Sequence, residues 1–544
     1  MQMKKTSLYL AMGAILVLAA TAATASGVNT TWKTTATHAH VPAASVNMND
    51  LVAFNMPLQV QVALKIQNKA ALDDLITASH NPANSLFRAK LQPSDVAANF
   101  LPSEAQAQAV VAYLSQAGFS NINVSANRLL VTADGTATNA QAAFGTRFVK
   151  ATDEHGHAAY ANIDDAKVPA ALADTVLSVS GLQTMTHPHT MIVAATPQGR
   201  VEKGKPGGGG SGAILVGHNP TTFSTIYGAG STPTASTITV GIISDGDMTQ
   251  PLKDLNQFTT TNGLPAVNSQ VVVVGTPGTD TSGTPEWDLD SQDIVGMSGG
   301  VGKLMFYAAN SLSNSALTAA YNKAVSDNLA QVINVSLGEC ETSAHNDGSM
   351  ATDDQIFALG VAQGQTFSIS TGDSGSNECS KSPSGTTPSY PASSPYVVAV
   401  SGTSLSTGTS NSWLSETLWT KAGGSPSTVE PKPSWQTQGG GTTRDVADVA
   451  FDADPNSGSI IIVNGSNAQY GGTSLAAPLF AAIWARMLAA HPTLGFAAPH
   501  LYTVSTASYH DITSGSNGGE TATVGWDYAS GFGSGIVSAL NAGL

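Results

Sequence analysis

The sequence predicts two folded units, a small α+β unit and a larger α/β unit with a doubly wound parallel sheet. The first observation is a change of composition between Met191 and Gly212, where Pro206 is followed by four glycines. Such a stretch is flexible, exposed and easily cleaved. The second observation is that strand-like and helix-like segments of mixed polarity precede this stretch. The third is that nearly all-apolar strand segments alternate with helical segments after it, which is typical of a parallel sheet with helices on both faces.

The small unit is predicted to span residues 26–190, with residues 191–212 as a cleavable linker. In its strands apolar and polar residues alternate, and in its helices apolar residues recur every three to four positions. The predicted strands are Pro57–Leu64 and Asn127–Thr132, and the predicted helices are Ala70–Ser79, Ser103–Ala117 and Asn139–Phe144.

The large unit is predicted to span residues 213–544. Its predicted strands are Ile238–Ile243, Val271–Val274, Leu304–Tyr307, Val332–Val335, Thr366–Ile369 and Val397–Val400. Helical patterns lie between several of them, at Glu286–Val295, Ser315–Ser326 and Thr352–Ala362. Functional groups of such sheets collect beyond the carboxyl ends of the strands, so polar residues that follow a strand are candidate site residues.

Residues 1–25 have the organisation of an export signal. Lys4 and Lys5 precede the apolar run Leu8–Ala20, and Ala23-Thr24-Ala25 is a small-residue cleavage site. A transmembrane anchor is the alternative, but the apolar run is short for a membrane span, and no later stretch is expected to be long and apolar enough to span. We therefore expect a soluble protein, exported to the extracellular medium or the periplasm, with no membrane partner.

The charge composition argues against a nucleic-acid partner. The formal net charge is -15, and only 11% of the residues are charged. The 22 Lys and Arg residues are scattered rather than clustered. A surface that relies little on ion pairs loses little stability when carboxylates are protonated, which suits an acidic medium.

The chain has two cysteines, Cys340 and Cys379. In an exported protein the default expectation is one disulfide bond. The alternative is a pair of unpaired buried thiols.

A candidate nucleophile stands in the stretch from Gly471 to Pro478. Two glycines allow a tight turn, and the apolar spacing that follows predicts a buried helix up to Ala490. Ser474 therefore stands at a helix N-terminus, where backbone N–H groups and the helix dipole favour developing negative charge. The alternative is that Ser474 only caps the helix.

A nucleophilic serine needs a base, which is most often a histidine. The large unit holds five histidines, and none stands at a strand-to-helix junction before Ser474: His218, His345, His491, His500 and His510. His345 is the least unsuitable of them. The sequence therefore offers no clear Ser/His/Asp triad.

Carboxyl groups are the other candidates. Glu286 and Asp290 are four residues apart at the start of a predicted helix, so their side chains share one face, where repulsion raises one pKa. The alternative is a solvated acidic first turn. Asp373 follows the strand Thr366–Ile369 between two glycines. It could be a turn former, or, if burial keeps it protonated, a hydrogen-bond donor to an oxyanion.

Several short motifs occur together in an order that resembles the sedolisins, the serine-carboxyl peptidases. The three that carry the candidate residues are Glu286-x-x-x-Asp290, Ser370-x-Gly372-Asp373-Ser374-Gly375 and Gly472-Thr473-Ser474-x-x-x-Pro478. Further similar stretches are Ile333–Gly338, Pro391–Tyr396, Arg444–Val446, Ala453–Pro455, Ala143–Thr146 and Val168–Leu172. The resemblance covers nearly all of the chain after the signal. It implies a subtilisin-like large unit, preceded by a ferredoxin-like activation domain of the pro-kumamolisin type.

The resemblance also implies a role for each candidate residue. Ser474 would be the nucleophile, Glu286 the general base, and Asp290 its hydrogen-bonding partner. A protonated Asp373 and the Ser474 N–H would stabilise the oxyanion. Because Asp373 would ionise near neutral pH, an acidic optimum is expected. Leu337 and Glu339 flank Gly338 where some relatives carry tryptophan, so no subsite preference is inferred.

The resemblance further implies a site for one Ca²⁺ ion near the C-terminus. Asp511 and Asp527 would supply carboxylate oxygens, and Ile512, Thr523 and Gly525 would supply backbone carbonyls. Oxygen-only ligands suit this ion. Thr523 stands where the family usually has glycine. Without the resemblance, these residues would be ordinary turn formers.

The leading hypothesis is a secreted acid endopeptidase made as a self-processing zymogen and acting on proteins and peptides as a monomer. Its propeptide is expected to occupy the active-site cleft until the chain cuts itself between Met191 and Gly212. One alternative is a subtilisin-type, histidine-dependent serine protease. Another is a non-catalytic secreted binding or inhibitor protein on the same fold.

Overall fold

The computed structural model describes residues 31–41, 52, 55–153, 155–195, 217–380 and 385–544. The predicted signal peptide lies outside these residues, as does the predicted linker after residue 195.

The N-terminal unit is built on a four-stranded antiparallel sheet in the order β3–β4–β2–β8. Its strands are β1 (Trp32–Thr34), β2 (Pro57–Leu64), β3 (Ser120–Val124), β4 (Leu130–Thr136), β5 (Phe148–Thr152), β6 (Ala158–Asn162), β7 (Lys167–Pro169) and β8 (Val176–Ser180). Its helices are α1 (Lys69–Ser79), α2 (Pro93–Asn99), α3 (Glu104–Gln116) and α4 (Ala137–Phe144). The order of elements and strands is the ferredoxin-like pattern, as expected.

Alternating apolar residues explain the central position of β2. Leu58, Val60 and Val62 are buried against α3 and α4, in a core that also holds Leu114 and Phe144. The predicted strand Asn127–Thr132 was placed too early, since β4 begins at Leu130. A turn precedes it, in which Arg128 has a positive φ of 63° and its N–H bonds the Ser125 carbonyl.

The large unit is built on an eight-stranded sheet. Seven of its strands lie side by side in the order β12–β13–β11–β14–β16–β18–β19, and the eighth strand, β22, pairs with β18. All pairs are parallel except β18 with β19. The strand order reverses between β11 and β14, as in a doubly wound sheet. These strands are β11 (Thr239–Asp245), β12 (Ser269–Val273), β13 (Lys303–Ala309), β14 (Val332–Val335), β16 (Thr366–Ser370), β18 (Val398–Thr407), β19 (Trp413–Leu418) and β22 (Val449–Asp452).

The remaining strands form short ribbons around this sheet. They are β9 (His189–Thr190), β10 (Val193–Ala194), β15 (Leu337–Cys340), β17 (Ser389–Tyr390), β20 (Ser425–Pro431), β21 (Thr443–Val446), β23 (Ser459–Val463), β24 (Ser466–Gly471), β25 (Tyr509–His510) and β26 (Ser534–Gly535). The helices are α5 (Phe223–Ile226), α6 (Thr249–Thr261), α7 (Thr284–Ser298), α8 (Asn314–Asp327), α9 (Glu341–Asp347), α10 (Ser349–Ala362), α11 (Thr473–Ala490), α12 (Ala498–Leu501) and α13 (Val537–Gly543).

Helix α11 is the central helix of the large unit. It packs against α7 and against the strands β14, β16, β18 and β22, and most of its residues are buried. Among the described residues it is the one helix long and apolar enough to cross a membrane. The expectation that no stretch after the signal meets that criterion is therefore wrong. The apolar length of this helix is explained by packing on all sides within the protein core.

The two units share an extensive contact on helices α8 and α10. Apolar side chains of α1 and α2, among them Leu72 and Val96, join the core of the large unit. The side chain of Gln355 on α10 bonds the backbone of the small unit twice, at Ile66 N (3.1 Å) and Leu64 O (2.8 Å). The small unit therefore covers one face of the large unit, on the side of α8 and α10.

After β8 the chain crosses onto the large unit as an extended segment, residues 189–195. Strand β9 pairs antiparallel with β15, and β10 pairs antiparallel with β24. The expected disulfide bond is present and joins Cys340, at the end of β15, to Cys379.

Candidate active site

Ser474 lies where the sequence places it, in the first turn of α11. Gly472 precedes the helix with a φ of +96°, a conformation that residues with a Cβ rarely adopt. A Cβ at Gly472 would also lie 2.0 Å from the Met191 carbonyl oxygen. The turn therefore requires glycine, and it buries the Ser474 side chain completely.

Glu286 contacts Ser474, although the two residues are 188 positions apart in sequence. It stands in the first turn of α7, directly after Pro285, where proline and acidic residues are both favoured. The Ser474 hydroxyl donates a hydrogen bond to Glu286 Oε2 at 3.0 Å. No described residue donates to the other oxygen, Oε1, although it is buried. A serine hydroxyl and a carboxyl group are therefore in the relation that proton transfer requires.

Asp290 lies one helical turn after Glu286 and is also fully buried. Its Oδ1 accepts a hydrogen bond of 2.6 Å from the Ser336 hydroxyl, which in turn accepts one of 3.0 Å from the Asn334 amide. Its Oδ2 receives no hydrogen bond from the described part of the chain. The two neighbouring carboxyl groups thus each keep one buried oxygen for a proton.

Burial raises the pKa of both carboxyl groups. For Glu286 the pKa is well above its usual value, first because of desolvation and then because of the nearby Asp290 charge. Desolvation raises the pKa of Asp290 to about 8. Two such groups cannot both ionise easily, so the pair retains a proton in acid.

Asp373 follows the carboxyl end of β16 and faces the start of α11. Its Oδ1 accepts hydrogen bonds from the Thr473 N–H (2.8 Å) and hydroxyl (2.9 Å). Its Oδ2 is buried without a donor among the residues described. Burial raises the pKa of Asp373 to about 7, so this oxygen carries a proton in acidic solution.

The described hydrogen-bond partners of Ser474 Oγ do not include a histidine. They are Glu286 and the Ser336 carbonyl oxygen, the latter at 3.4 Å. His345 lies on α9, where its ring contacts that of His38 at a centroid distance of 5.2 Å. His345, the least unsuitable histidine in the sequence, therefore contacts the small unit and is not among the described partners of Ser474 Oγ.

Sequence reasoning assigned no role to Ser336, Asn334 and Thr473, although the motifs that carry the resemblance contain all three. Ser336 and Asn334 are polar residues at the end of a buried strand, which is an unusual position for them. Their polarity was the available signal. Their role depends on the tertiary structure, which brings Asp290 within hydrogen-bonding distance of Ser336.

The expected calcium residues converge on one loop. The Gly525 N–H bonds Asp511 Oδ2 at 2.9 Å, and the Thr523 N–H bonds Asp527 Oδ2 at 2.8 Å. The N–H groups of Thr523 and Gly525 thus point to the carboxylates. The backbone carbonyl oxygens of Ile512, Thr523 and Gly525 accept no backbone hydrogen bond from the described residues. The described residues hold no group of three or more His, Cys, Asp or Glu that could bind a metal. The donor set is oxygen only and fits Ca²⁺.

Both units of the chain are similar to known proteins. The family model described as Pro-kumamolisin, activation domain matches residues 45–185, and the one described as Subtilase family matches residues 290–533. The chain is 44% identical to Sedolisin from Pseudomonas sp. (strain 101), over 95% of this chain and 93% of that protein. It is 42% identical to Xanthomonalisin from Xanthomonas sp. (strain T-22), over 89% of this chain and 65% of that protein.

A solved structure supports the same assignment. Pseudomonas sedolisin (serine-carboxyl proteinase), complexed with two molecules of pseudo-iodotyrostatin, matches with 46% identity and a TM-score of 0.59. The match covers 60% of this chain and 98% of that chain. With the activation-domain match, these likenesses identify a peptidase made as a zymogen. The chain therefore belongs to the sedolisin family of serine-carboxyl peptidases.

Proposed function

We propose that the protein is a secreted acid endopeptidase in which Ser474 attacks the peptide bond and Glu286 takes its proton. The observation that carries this proposal is the 3.0 Å hydrogen bond from the Ser474 hydroxyl to Glu286 Oε2. Glu286 later returns the proton to the leaving amine, and a water molecule hydrolyses the acyl-enzyme by the same route.

Asp290 positions the base. A proton shared between Asp290 Oδ2 and Glu286 Oε1 would satisfy both unpartnered oxygens and leave Oε2 free to accept from serine. Ser336 holds the other oxygen of Asp290 and so fixes its orientation. With the shared proton held on the side of Oε1, Glu286 Oε2 remains the acceptor for the Ser474 proton.

The oxyanion is stabilised by the Ser474 N–H and by Asp373 in its protonated form. A single donor of this kind is worth about 10² to 10³ in rate. Because burial raises the pKa of Asp373 to about 7, the donor is present in acid and is lost as the pH rises above that value. The proposal therefore includes an acidic optimum.

One Ca²⁺ ion is proposed on Asp511, Asp527 and the carbonyl oxygens of Ile512, Thr523 and Gly525. Bound there, the ion would neutralise the two carboxylates and tie the C-terminal loops together. Export by residues 1–25 and action as a monomer on protein and peptide substrates complete the proposal. The small unit acts as the intramolecular inhibitor before maturation.

The test measures cleavage of a denatured protein between pH 3 and pH 8 by the wild type and three variants. Ser474→Ala and Glu286→Gln are expected to abolish turnover, since they remove the nucleophile and the base. Asp288→Asn is the matched control, because Asp288 is a buried carboxyl group on the same helix that faces Asp254 rather than Ser474. It is expected to keep activity.

Three results would contradict the proposal. Full activity of Glu286→Gln would remove the assigned base. A neutral-to-alkaline optimum would favour a histidine-dependent, subtilisin-type enzyme. No activity of the wild type at any pH would favour a binding or inhibitor protein.

A further inference from the structure

We infer that the precursor presents its own Met191–Ile192 peptide bond to Ser474, so that the first maturation cut falls between these two residues. The cut thus precedes the glycine-rich stretch, which composition alone marks as the flexible part of the linker. The inference rests on the proposed role of Ser474. It locates one bond within the expected cleavage region.

On the N-terminal side of this bond the chain is held as an added strand. Thr190 pairs with Leu337 and His189 with Gly338 in antiparallel register. The Met191 N–H then bonds the Ser336 carbonyl oxygen at 3.2 Å. An extended peptide that adds a strand to an enzyme's edge is held by its backbone, and this pairing aligns the carbonyl group that follows it for attack.

The Met191 carbonyl group lies in the proposed oxyanion site. Its oxygen accepts a hydrogen bond of 3.1 Å from the Ser474 N–H. A Cβ built on Gly472 would meet both this oxygen (2.0 Å) and Asp373 Oδ2 (2.7 Å), so both oxygens face the same side of Gly472. Asp373 Oδ2 is the buried atom that lacks a partner. A proton on this oxygen would lie on the side of Gly472 where the Met191 carbonyl oxygen is found.

The Met191 side chain is 2% exposed and occupies a pocket over Gly338. A Cβ on Gly338 would lie 2.9 Å from Met191 Cε, so the absence of a side chain at Gly338 makes room for the methionine. The pocket therefore accepts a long, unbranched apolar side chain on the acyl side of the cut bond.

The chain continues through the site on the other side of the bond. Val193 pairs with Gly471 and Ala194 with Tyr470, and the Ala195 N–H bonds the Gln469 carbonyl oxygen at 3.0 Å. Both sides of the Met191–Ile192 bond are thus held by strands of the large unit. An inhibitory segment that merely blocked the cleft would not need to be aligned on both sides of the serine.

The cut follows from this alignment in two steps. Ser474 Oγ bonds to the Met191 carbonyl carbon while its proton passes to Glu286. The Met191 C–N bond to Ile192 then breaks, the proton goes to the Ile192 amine, and Met191 is left as an ester on Ser474. Water hydrolyses the ester to a Met191 carboxyl group and regenerates the serine hydroxyl.

The experiment follows full-length precursor, purified at neutral pH, after a shift to pH 4, by intact mass spectrometry and N-terminal sequencing. The earliest fragments are expected to meet at Met191 and Ile192. Their rate of formation should be independent of protein concentration over a hundredfold dilution, since the cut is intramolecular. Ser474→Ala should stay intact.

Two proline variants localise the cut. Met191→Pro removes the N–H that bonds Ser336 and should abolish the 191/192 products. Val201→Pro makes the same change ten residues later in the chain and should be processed at 191/192 like the wild type. A synthetic peptide of residues 187–196, given to activated enzyme, should be cut between its Met and Ile, which keeps the test independent of how the variants fold.

The outcomes separate the inference from the proposed function. If the wild type digests a denatured protein but its first cut lies elsewhere, the inference fails and the function stands. A 191/192 cut that slows in proportion to dilution also overturns the intramolecular step. If the precursor stays intact and inactive at every pH, both fail.

Discussion

Replacing Asp373 by asparagine probes the acid dependence at a single atom. Because Asp373 Oδ1 accepts two hydrogen bonds from Thr473, the new amide must place its oxygen there. Its NH₂ group then takes the position of Oδ2, on the side of Gly472 where the precursor places the carbonyl oxygen of the bond to be cut. The amide donates a hydrogen bond at every pH, whereas the carboxyl group donates only when protonated.

The size of the effect follows from the pKa values. Burial raises the pKa of Asp373 to about 7, so above that pH the donating fraction of the wild type falls about tenfold per pH unit. Burial raises the pKa of the Glu286–Asp290 pair in the variant as in the wild type, so the titration of that pair cancels in a ratio of the two enzymes. The ratio of variant to wild-type kcat/KM should therefore rise about tenfold between pH 4 and pH 8. Asp373→Ala should be slower than the wild type by about 10² to 10³ below pH 7, where the wild-type donor is present.

The assay measures kcat/KM on an internally quenched peptide from pH 3 to pH 8.5, using activated enzyme. Thermal melting at each pH separates loss of chemistry from unfolding. Asp288→Asn makes the same chemical change at a buried carboxyl group away from Ser474 and should keep the wild-type alkaline limb. An Asp373→Asn profile whose alkaline limb coincides with that of the wild type would refute the assignment of the oxyanion donor.

Three further outcomes are expected. Burial raises the folded-state pKa of Asp288 to about 9, above an unfolded value near 3.9, so its contribution to stability is complete below about pH 4 and is lost as the pH rises toward 9. Asp288→Asn should therefore raise the Tm at pH 8 relative to wild type more than at pH 3.5, and an equal shift at both would contradict this. Chelation of calcium should lower the Tm by several degrees, since an ion at a hundred times its Kd contributes about 2.7 kcal/mol, and Ca²⁺ but not Mg²⁺ should restore it. An unchanged melt, or equal sensitivity in Asp527→Asn, would contradict the site. Gly472→Ala should block maturation in mass spectra, because its Cβ would lie 2.0 Å from the Met191 carbonyl oxygen, and normal processing would count against that contact.

Much of the fold follows from local patterns. The strand Pro57–Leu64 was predicted with its observed bounds because apolar residues alternate through it, and Val332–Val335 because it is continuously apolar. The start of α11 after Gly472 follows from two glycines and an apolar run. Such patterns record backbone conformation and the side on which a segment is buried, and these are properties of neighbouring residues.

Within the candidate site the sequence alone determined the pairs that lie close along the chain. Glu286 and Asp290 share a helix face because they are four residues apart, and Ser474 stands at a helix start because of the turn before it. The approach of Ser474 to Glu286 depends on how α11 packs on α7, which no local pattern encodes. The same holds for the bonds from Thr473 to Asp373.

The alignment of Met191 was decided by tertiary structure alone. Composition predicted a linker from residue 191 to residue 212, with its glycine-rich stretch near the end. Composition gave Met191 no role beyond that of the first residue of this linker. The residues on either side of the Met191–Ile192 bond pair with strands β15 and β24, about 150 and 280 positions away in sequence. The sequence thus determines which segments form strands and helices and which residues can do chemistry, while the packing of distant elements decides which of them meet.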